Sequence, residues 1–372
     1  MSKARELSQR AGVDGALSNR NLIINGAMQV AQRGTSVASV STGGYYTCDR
    51  WKFVETGTPT AVYTFTQDTT GPNGFSNSFK VATTTADATP TGLNAISYFV
   101  EGFDLQRLGY GSSDANTSTL SFWVKSSQTG TCAVLVYLFD GNLSLTLNYT
   151  VDAADTWEYK TLNIPTNTSQ AIANDNTAGL ELDFVIMADT ATYGTTAQTT
   201  WDTYSSATRA YGQTLNAAAT TSDYFQITGV QLEVGDTATP FEHRSYGQEL
   251  ALCQRFFCTS GGPVVPQQHS YTADLFLEGI GAVYTDSFAY SNAISFPCPM
   301  RTSPTVTIVA PSLSSANNQA AIYSRNGGWN TCDATNPNAG PSGMMIDLRD
   351  NSGFVGRDSC LYFVGWYADA EL

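Results

Sequence analysis

Residues 223–257 read DYFQITGVQLEVGDTATPFEHRSYGQELALCQRFF, and the change of period inside this stretch decides how the chain is divided. Tyr224, Gln226 and Thr228 alternate with Phe225, Ile227 and Gly229, and Val230, Leu232 and Val234 alternate with Gln231, Glu233 and Gly235. A period of two is that of a strand with one face buried. Gly235-Asp236 ends the run and Pro240 rules out an immediate helix. From Ser245 the apolar residues Leu250, Cys253, Phe256 and Phe257 fall on one helical face, with Ser245 as N-cap and Glu249 in the first turn. A strand, a turn and a short helix over 245–257 therefore join whatever precedes them to whatever follows.

Working outward, residues 21–247 carry further strand signals at 51–55, 61–67, 78–83, 93–100, 120–125, 133–139, 143–149, 158–164 and 180–188. Leu22, Ile23 and Ile24 open this half, and Met28 and Val30 predict a strand kinked at Ala31. Short strands separated by Gly, Asn, Asp and Pro loops, with no helical periods between them, predict a β-sandwich or jelly roll. The Thr-, Ala- and Gly-rich stretch 189–221 has few apolar anchors besides Trp201, Tyr204 and Leu215, so it is expected to be functional or to lie against a neighbouring subunit. Residues 259–372 predict a second, smaller β domain, with Trp329 in a Gly/Asn/Pro loop over 326–341. The first 20 residues are polar and either disordered or an attachment arm that orders on another protein.

Composition narrows the function classes. Only 13% of the 372 residues are charged, with a net charge of −14. A surface that tracks nucleic-acid phosphates needs clustered Lys and Arg, so nucleic acid is not an expected partner. No stretch approaches the length of an apolar membrane span, and MSKARELSQRAGVDG lacks the apolar middle of a signal peptide, so neither membrane insertion nor secretion is expected. Seven scattered cysteines without a C-x-x-C pair read as free buried thiols.

Catalytic constellations are sparse. His243 and His269 are the only histidines, there is no G-x-S-x-G elbow, and no P-loop or G-x-G-x-x-G occurs. A zinc set from His243, Cys253, Cys258 and His269 matches no common finger spacing. A glycosidase would need two carboxylates facing one sugar; Asp49, Glu55, Glu101, Asp104, Glu158, Glu181 and Asp183 are available, and nothing in the sequence pairs them. Sugar binding instead needs aromatic faces flanked by amides and carboxylates. Trp51 and Trp157 read as core or edge staples. Trp123 faces away from Phe122 and Val124, toward either a binding face or a second buried layer. Tyr45 and Tyr46 follow a Gly-Gly loop, and Trp201 and Trp329 sit in polar loops, exposed or buried at a subunit contact.

Four words of the sequence, NLIINGAMQVAQRGTS (21–36), CDRWKF (48–53), SFWVKSS (121–127) and GVQLEVGDTATPFEHRSYGQELALCQRFF (229–257), resemble the carbohydrate-binding-module-like jelly roll of bacteriophage tail fibre proteins. The terminal WYADAEL (366–372) is similar to the C-terminus of the same proteins. The resemblance implies an all-β chain: an attachment arm over 1–20 that docks on a phage tail or adaptor protein, a jelly roll over 21–247, a linker helix over 248–258, and a C-terminal β-sandwich head over 259–372 on a three-fold axis. It implies a homotrimer in the tail of the virion, synthesised in the host cytoplasm, binding host surface polysaccharide without cleaving it. Leu250, Cys253, Phe256 and Phe257 are the expected trimer contact. Such jelly rolls often hold a structural calcium, for which Asp49, Glu101, Asp223 and Glu233 are available; no other cofactor is expected. A glycan-degrading tail enzyme and a capsid or baseplate decoration protein remain the alternatives.

Overall fold

A computed structural model describes residues 19–260, 277–285, 288–309, 319–324, 328–349 and 360–372, so that most of the N-terminal arm, and His269, lie outside the described residues. The chain forms two units, one of residues 1–31 and 35–246, the other of residues 32–34 and 247–372.

The first unit contains thirteen strands: β1 (Ser36–Val40), β2 (Gly44–Tyr45), β3 (Trp51–Gly57), β4 (Val62–Asp68), β5 (Ser78–Thr85), β6 (Gly92–Glu101), β7 (Ser118–Ser126), β8 (Gly130–Leu138), β9 (Leu143–Val151), β10 (Glu158–Ile164), β11 (Ala178–Ala188), β12 (Asp202–Thr203) and β13 (Tyr224–Val234). They make a six-stranded sheet in the order β1-β4-β5-β13-β7-β10 and a seven-stranded sheet in the order β12-β9-β8-β11-β6-β3-β2, all neighbours antiparallel. The inward residues of both sheets, among them Trp51, Phe53, Phe65, Phe122, Phe184, Phe225 and Ile227, form one buried core. This is the predicted sandwich, and strand alternation is its cause: in β7, Leu120, Phe122 and Val124 point into the core and Trp123 and Lys125 away from it.

The N-terminal segment 21–32 departs from expectation. It forms no strand. Two asparagine side chains hold it instead. Asn21 accepts from the N–H groups of Ile23 (2.9 Å) and Leu232 (3.1 Å) and donates to the Val230 carbonyl (3.2 Å). Asn25, wholly buried at φ 59°, donates to the carbonyls of Val30 (2.8 Å) and Asp49 (2.9 Å) and accepts from the Val30 N–H (2.9 Å). The Trp51 indole N–H donates to the Asn25 carbonyl at 3.1 Å. Buried backbone without a ladder must find partners elsewhere, and these carboxamides supply them.

In the second unit the strands are β14 (Phe257–Thr259), β15 (Leu277–Thr285), β16 (Phe288–Tyr290), β17 (Ile294–Ser295), β18 (Thr305–Val309), β19 (Gln319–Ser324), β20 (Gly328–Gly340), β21 (Gly343–Arg349) and β22 (Cys360–Asp369). They pair as β14-β22-β15-β16-β21-β20-β19, and β19 pairs back with β22, closing the sheet on itself. Closure removes exposed edges, which open sheets must otherwise protect. The loop expected at 326–341 is mostly the long strand β20, with Trp329 paired to Tyr323 on β19; its side chain lies outside the described residues.

The helix runs over Tyr246–Gln254, shorter than the expected 245–257, and from Gly247 it belongs to the second unit rather than standing as a separate linker. Its apolar stripe is not left for a three-fold contact: Cys253, Phe256 and Phe257 are each at most 2% exposed within their own chain, and only Leu250 is part-exposed. The Arg33 guanidinium lies 3.6 Å from the Phe257 ring centroid and pairs with Asp369 and Glu371 at 3.3 Å each, while the Gln32 side chain donates to the Phe257 carbonyl at 2.7 Å. Trp366, in the terminal WYADAEL, is buried against Phe296.

Asn25→Ala removes the Asn25 bonds to the Val30 N–H and the Asp49 carbonyl and forces alanine to a positive φ, while the Val30 carbonyl keeps the Asp49 N–H at 3.0 Å. The expected loss is about 2 kcal/mol or more, since each buried unsatisfied group costs roughly 1–3 kcal/mol. Asn25→Gly relieves the φ strain alone, about 1 kcal/mol. Thermal and urea unfolding of the two variants against the parent checks this ordering.

Candidate functional site

The outward face of the seven-stranded sheet carries the site. Its strands place alternate side chains there, so Phe99 on β6, Glu181 on β11 and Tyr137 on β8 fall side by side in cross-strand register. Phe139 extends the row, with ring centroids 4.8 Å from Tyr137 and 6.1 Å from Phe99, and it is 38% exposed. Tyr204 stands edge-on to Tyr137 at 5.2 Å. On β3, the Lys52 ammonium lies 4.9 Å from the Phe99 ring and 5.5 Å from the ring of Tyr45, its cross-strand partner on β2. The result is a part-exposed aromatic platform with one carboxyl and one ammonium set among the rings.

Beside Glu181 on the same face of β11 sits a buried ion pair. Asp183, wholly buried, accepts from Arg209 Nε (3.0 Å) and Nη2 (2.6 Å) on one oxygen and from the Ser97 hydroxyl on the other. Arg209 Nη1 donates to the Thr56 hydroxyl at 2.7 Å. Burial and the neighbouring Asp183 push the Glu181 carboxyl up to about 9, against the opposing pull of Arg209 and Lys52. At neutral pH Glu181 therefore holds its proton, and it both donates and accepts hydrogen bonds. Burial also raises Tyr137 and Tyr204 above the usual phenol range, so their hydroxyls stay protonated.

The stretch 189–221 packs on this sheet and builds one wall of its outward face. Tyr193 and Ala210 pack on Leu93, Ala95, Ala133 and Val185, Gln198 donates to the Ser144 carbonyl at 2.7 Å, and Gln213 accepts from the Ala133 N–H at 2.6 Å. Glutamine side chains add to the few apolar anchors that the sequence showed.

Of the four aromatic residues expected to bind glycan whose side chains are described, Tyr45 alone lies on the platform. Tyr46 packs on Phe65 at 5.5 Å and donates its hydroxyl to the Thr42 carbonyl at 2.7 Å. Trp201 packs at the edge of the core, its indole N–H donating to the Pro165 carbonyl at 2.9 Å and its ring edge-on to Tyr110 at 6.0 Å. Both are structural anchors, because each satisfies its polar atom within the fold. Trp123 lies on the opposite sheet. Sequence reading missed Phe99, Tyr137, Phe139 and Lys52; the signal was their alternation with core residues on three strands, which becomes informative once the strand order is known.

The four carboxylates expected to serve calcium do not converge. Asp223 accepts from Ser127 (3.0 Å), Gln128 (2.8 Å) and the Thr220 N–H (2.7 Å), and these hydrogen bonds hold its carboxyl below the usual range. Glu233 accepts from the Thr239 N–H (2.8 Å) and hydroxyl (2.6 Å) and from Gln231 (2.8 Å). No group of three or more His, Cys, Asp or Glu among the described residues is placed to hold a metal ion. Six of the seven cysteines carry free thiols, the side chain of Cys360 lying outside the described residues, and no described helix is long and apolar enough to cross a membrane.

Because the folded state keeps the Glu181 proton from about pH 4.5 to about 9 while the unfolded chain releases it, stability falls as pH rises through that window. Glu181→Gln keeps a neutral side chain and removes the linkage. Its melting temperature is expected to gain on the parent steadily from pH 5 to pH 9; parallel curves would show Glu181 ionised in the folded state.

No family model matches this chain, and no curated protein sequence matches it. Among solved structures it is similar to the enzymatically active domain of tailspike protein 4 of bacteriophage CBA120 (13% identity over 58% of this chain and 21% of that one, TM-score 0.32). It is also similar to a family 30 carbohydrate-binding module (12% identity, 62% of this chain and 95% of that one, TM-score 0.31) and to TmCBM61 in complex with β-1,4-galactotriose (10% identity, 58% and 99%, TM-score 0.28). This chain thus spans about a fifth of the tailspike and nearly the whole of each binding module.

Proposed function

We propose that this protein is a phage tail fibre component that binds host surface glycan on the open face of its seven-stranded sheet and leaves the glycan intact. The observation that carries the binding is the Phe99–Glu181–Tyr137 row across three adjacent strands, flanked by Phe139, Tyr204, Lys52 and Tyr45. Aromatic rings take the C–H faces of pyranoses, and a protonated carboxyl, phenol hydroxyls and an ammonium read the hydroxyls around them. The virion role rests on the tail-fibre-like words of the sequence, with residues 1–20 as the anchor on a tail or adaptor protein and a homotrimer as the assembled form. Light scattering on the full chain tests the trimer, and antibody labelling of intact virions distinguishes a tail from a head position.

A second reading, a glycan-degrading enzyme, draws on one observation: Glu181 keeps a proton beside a second carboxyl, as a general acid does. Against it, Asp183 is wholly buried and bound to Arg209, so its oxygens cannot reach a sugar. Incubation with host capsule or lipopolysaccharide is accordingly expected to release no reducing ends. In affinity electrophoresis against the same glycans, Tyr137→Ala/Phe139→Ala is expected to weaken retention about tenfold or more at unchanged melting temperature, each aromatic contact being worth about 0.5–1.5 kcal/mol. Retention equal to the parent would remove the platform as the binding face.

A further inference from the structure

The dipeptide Asn-Gly occurs at 25–26, at 73–74 and at 326–327, the last outside the described residues. It is the step at which a chain attacks itself most readily, because a glycine brings its main-chain nitrogen to the preceding carboxamide carbon with no side chain in the way. Two things block the attack: a carboxamide that is already bound, and a peptide that cannot rotate. At 25–26 both apply. The Asn25 carboxamide bonds the Val30 N–H and the carbonyls of Val30 and Asp49. Gly26 is packed so closely that a Cβ there would lie 2.1 Å from the Val230 carbonyl oxygen, and its own carbonyl accepts from the Val230 N–H at 2.9 Å.

At 73–74, in the connection between β4 and β5, neither applies. Asn73 and Gly74 are both exposed, and the Asn73 carboxamide makes no hydrogen bond among the described residues. Gly74 stands at φ +94°, with nothing within 4 Å of the place a Cβ would take. The turn is closed by the Phe75 N–H, which donates to the Pro72 carbonyl at 3.0 Å. Turning Asn73 so that the Gly74 nitrogen meets its carboxamide carbon breaks that one surface bond, a weak restraint beside water. The flanks are fixed: Pro72 is buried, a Cβ on Gly71 would lie 2.5 Å from the Phe75 carbonyl oxygen, and the Phe75 ring packs on Phe241 and His243 at 5.0 and 5.2 Å. Mobility is thus confined to the two residues that react.

We infer that Asn73 is a self-modification site, which the folded protein converts to isoaspartate and aspartate without an enzyme. Hydroxide takes the proton of the Gly74 N–H, and the nitrogen bonds to the Asn73 side-chain carbonyl carbon. The bond from that carbon to its NH2 group breaks, ammonia leaves, and a succinimide ring remains. Water then opens the ring. Attack at the Asn73 main-chain carbonyl gives isoaspartate, and attack at the side-chain carbonyl gives aspartate. Either product sets a carboxylate next to Phe75, at the edge of its cluster with Phe241 and His243, and isoaspartate also lengthens the main chain of the turn by one methylene. Asn25, in the same chain and the same dipeptide, is preserved by its three hydrogen bonds.

Peptide mapping of the full chain, kept for weeks at mildly alkaline pH with and without urea, tests this. Digestion is done below neutral pH so that handling adds no conversion. Cleavage after Lys and Arg separates the two sites, into residues 53–80 and residues 21–33. Without urea, 53–80 is expected to gain about 1 Da, the difference between an amide and an acid, with fragment ions placing the gain at Asn73. Conversion of 21–33 is expected to be at least about tenfold slower, because Asn25 reacts only when the first unit opens. In urea the two sites are expected to convert at similar rates. Asn73→Gln should hold 53–80 at constant mass with the parent's melting temperature. Conversion at Asn73 no faster than at Asn25 in the folded chain, conversion at Asn73 in urea alone, or a mass gain placed at Asn77 overturns the inference.

Discussion

Two buried asparagine side chains govern the first unit. The segment 21–32 runs through the interior without a ladder along its length; isolated bonds such as Leu22 N–H to the Leu232 carbonyl (2.8 Å) and Val230 N–H to the Gly26 carbonyl (2.9 Å) pair some of its groups, and others would be orphaned. Asn21 and Asn25 take them up, and in doing so tie three distant parts of the chain together: the N-terminal segment, the CDRW turn through Asp49 and Trp51, and β13 through Val230 and Leu232. A carboxamide is the side chain that donates and accepts at once, and asparagine tolerates the positive φ that position 25 demands. Neither aspartate nor alanine does both.

The same physics explains why the recognisable words of this sequence say little about ligand. GVQLEVGDTATPFEHR is a latch. Glu233 gathers Thr239 and Gln231, the Glu242 N–H donates to Gln231 at 2.8 Å, and Glu242 in turn accepts from the Asn21 N–H at 2.9 Å. Arg244 donates to the carbonyls of Asn21 and Ile23. SFWVKSS is β7, the neighbour of β13. Most of these residues serve the packing around β13, whereas CDRWKF leads into β3 on the other sheet and carries Lys52 of the platform, beside β6, β8 and β11.

Within the platform, one charge arrangement sets the chemistry of the visible groups. The Asp183–Arg209 pair is buried and mutually satisfied, which leaves Glu181 beside a fixed negative charge in a poorly solvated place. Proton retention is the cheaper state, because an ionised Glu181 would face both desolvation and repulsion. A neutral carboxyl between two aromatic rings is a different recognition element from a carboxylate, since it offers a donor as well as an acceptor to a sugar hydroxyl.

The sequence by itself determined the strand content, the sandwich of the first unit and the place where the chain divides, because alternation of apolar residues and the Gly-Asp and Pro signals after β13 are local properties of the chain. It also marked Trp51 as a core or edge staple and Tyr45 as a candidate binding aromatic. It did not separate Tyr46 and Trp201 from true surface aromatics, since the Thr42 and Pro165 carbonyls that satisfy them are supplied by the fold. The long strand β20 was hidden by its Gly, Asn and Pro content, which pairing with β19 and β21 overrides. Only the tertiary structure decided the site: strands far apart in sequence, β6, β8 and β11, become neighbours through sheet order. Hydrogen-bonded register, not residue spacing, puts Phe99, Glu181 and Tyr137 side by side.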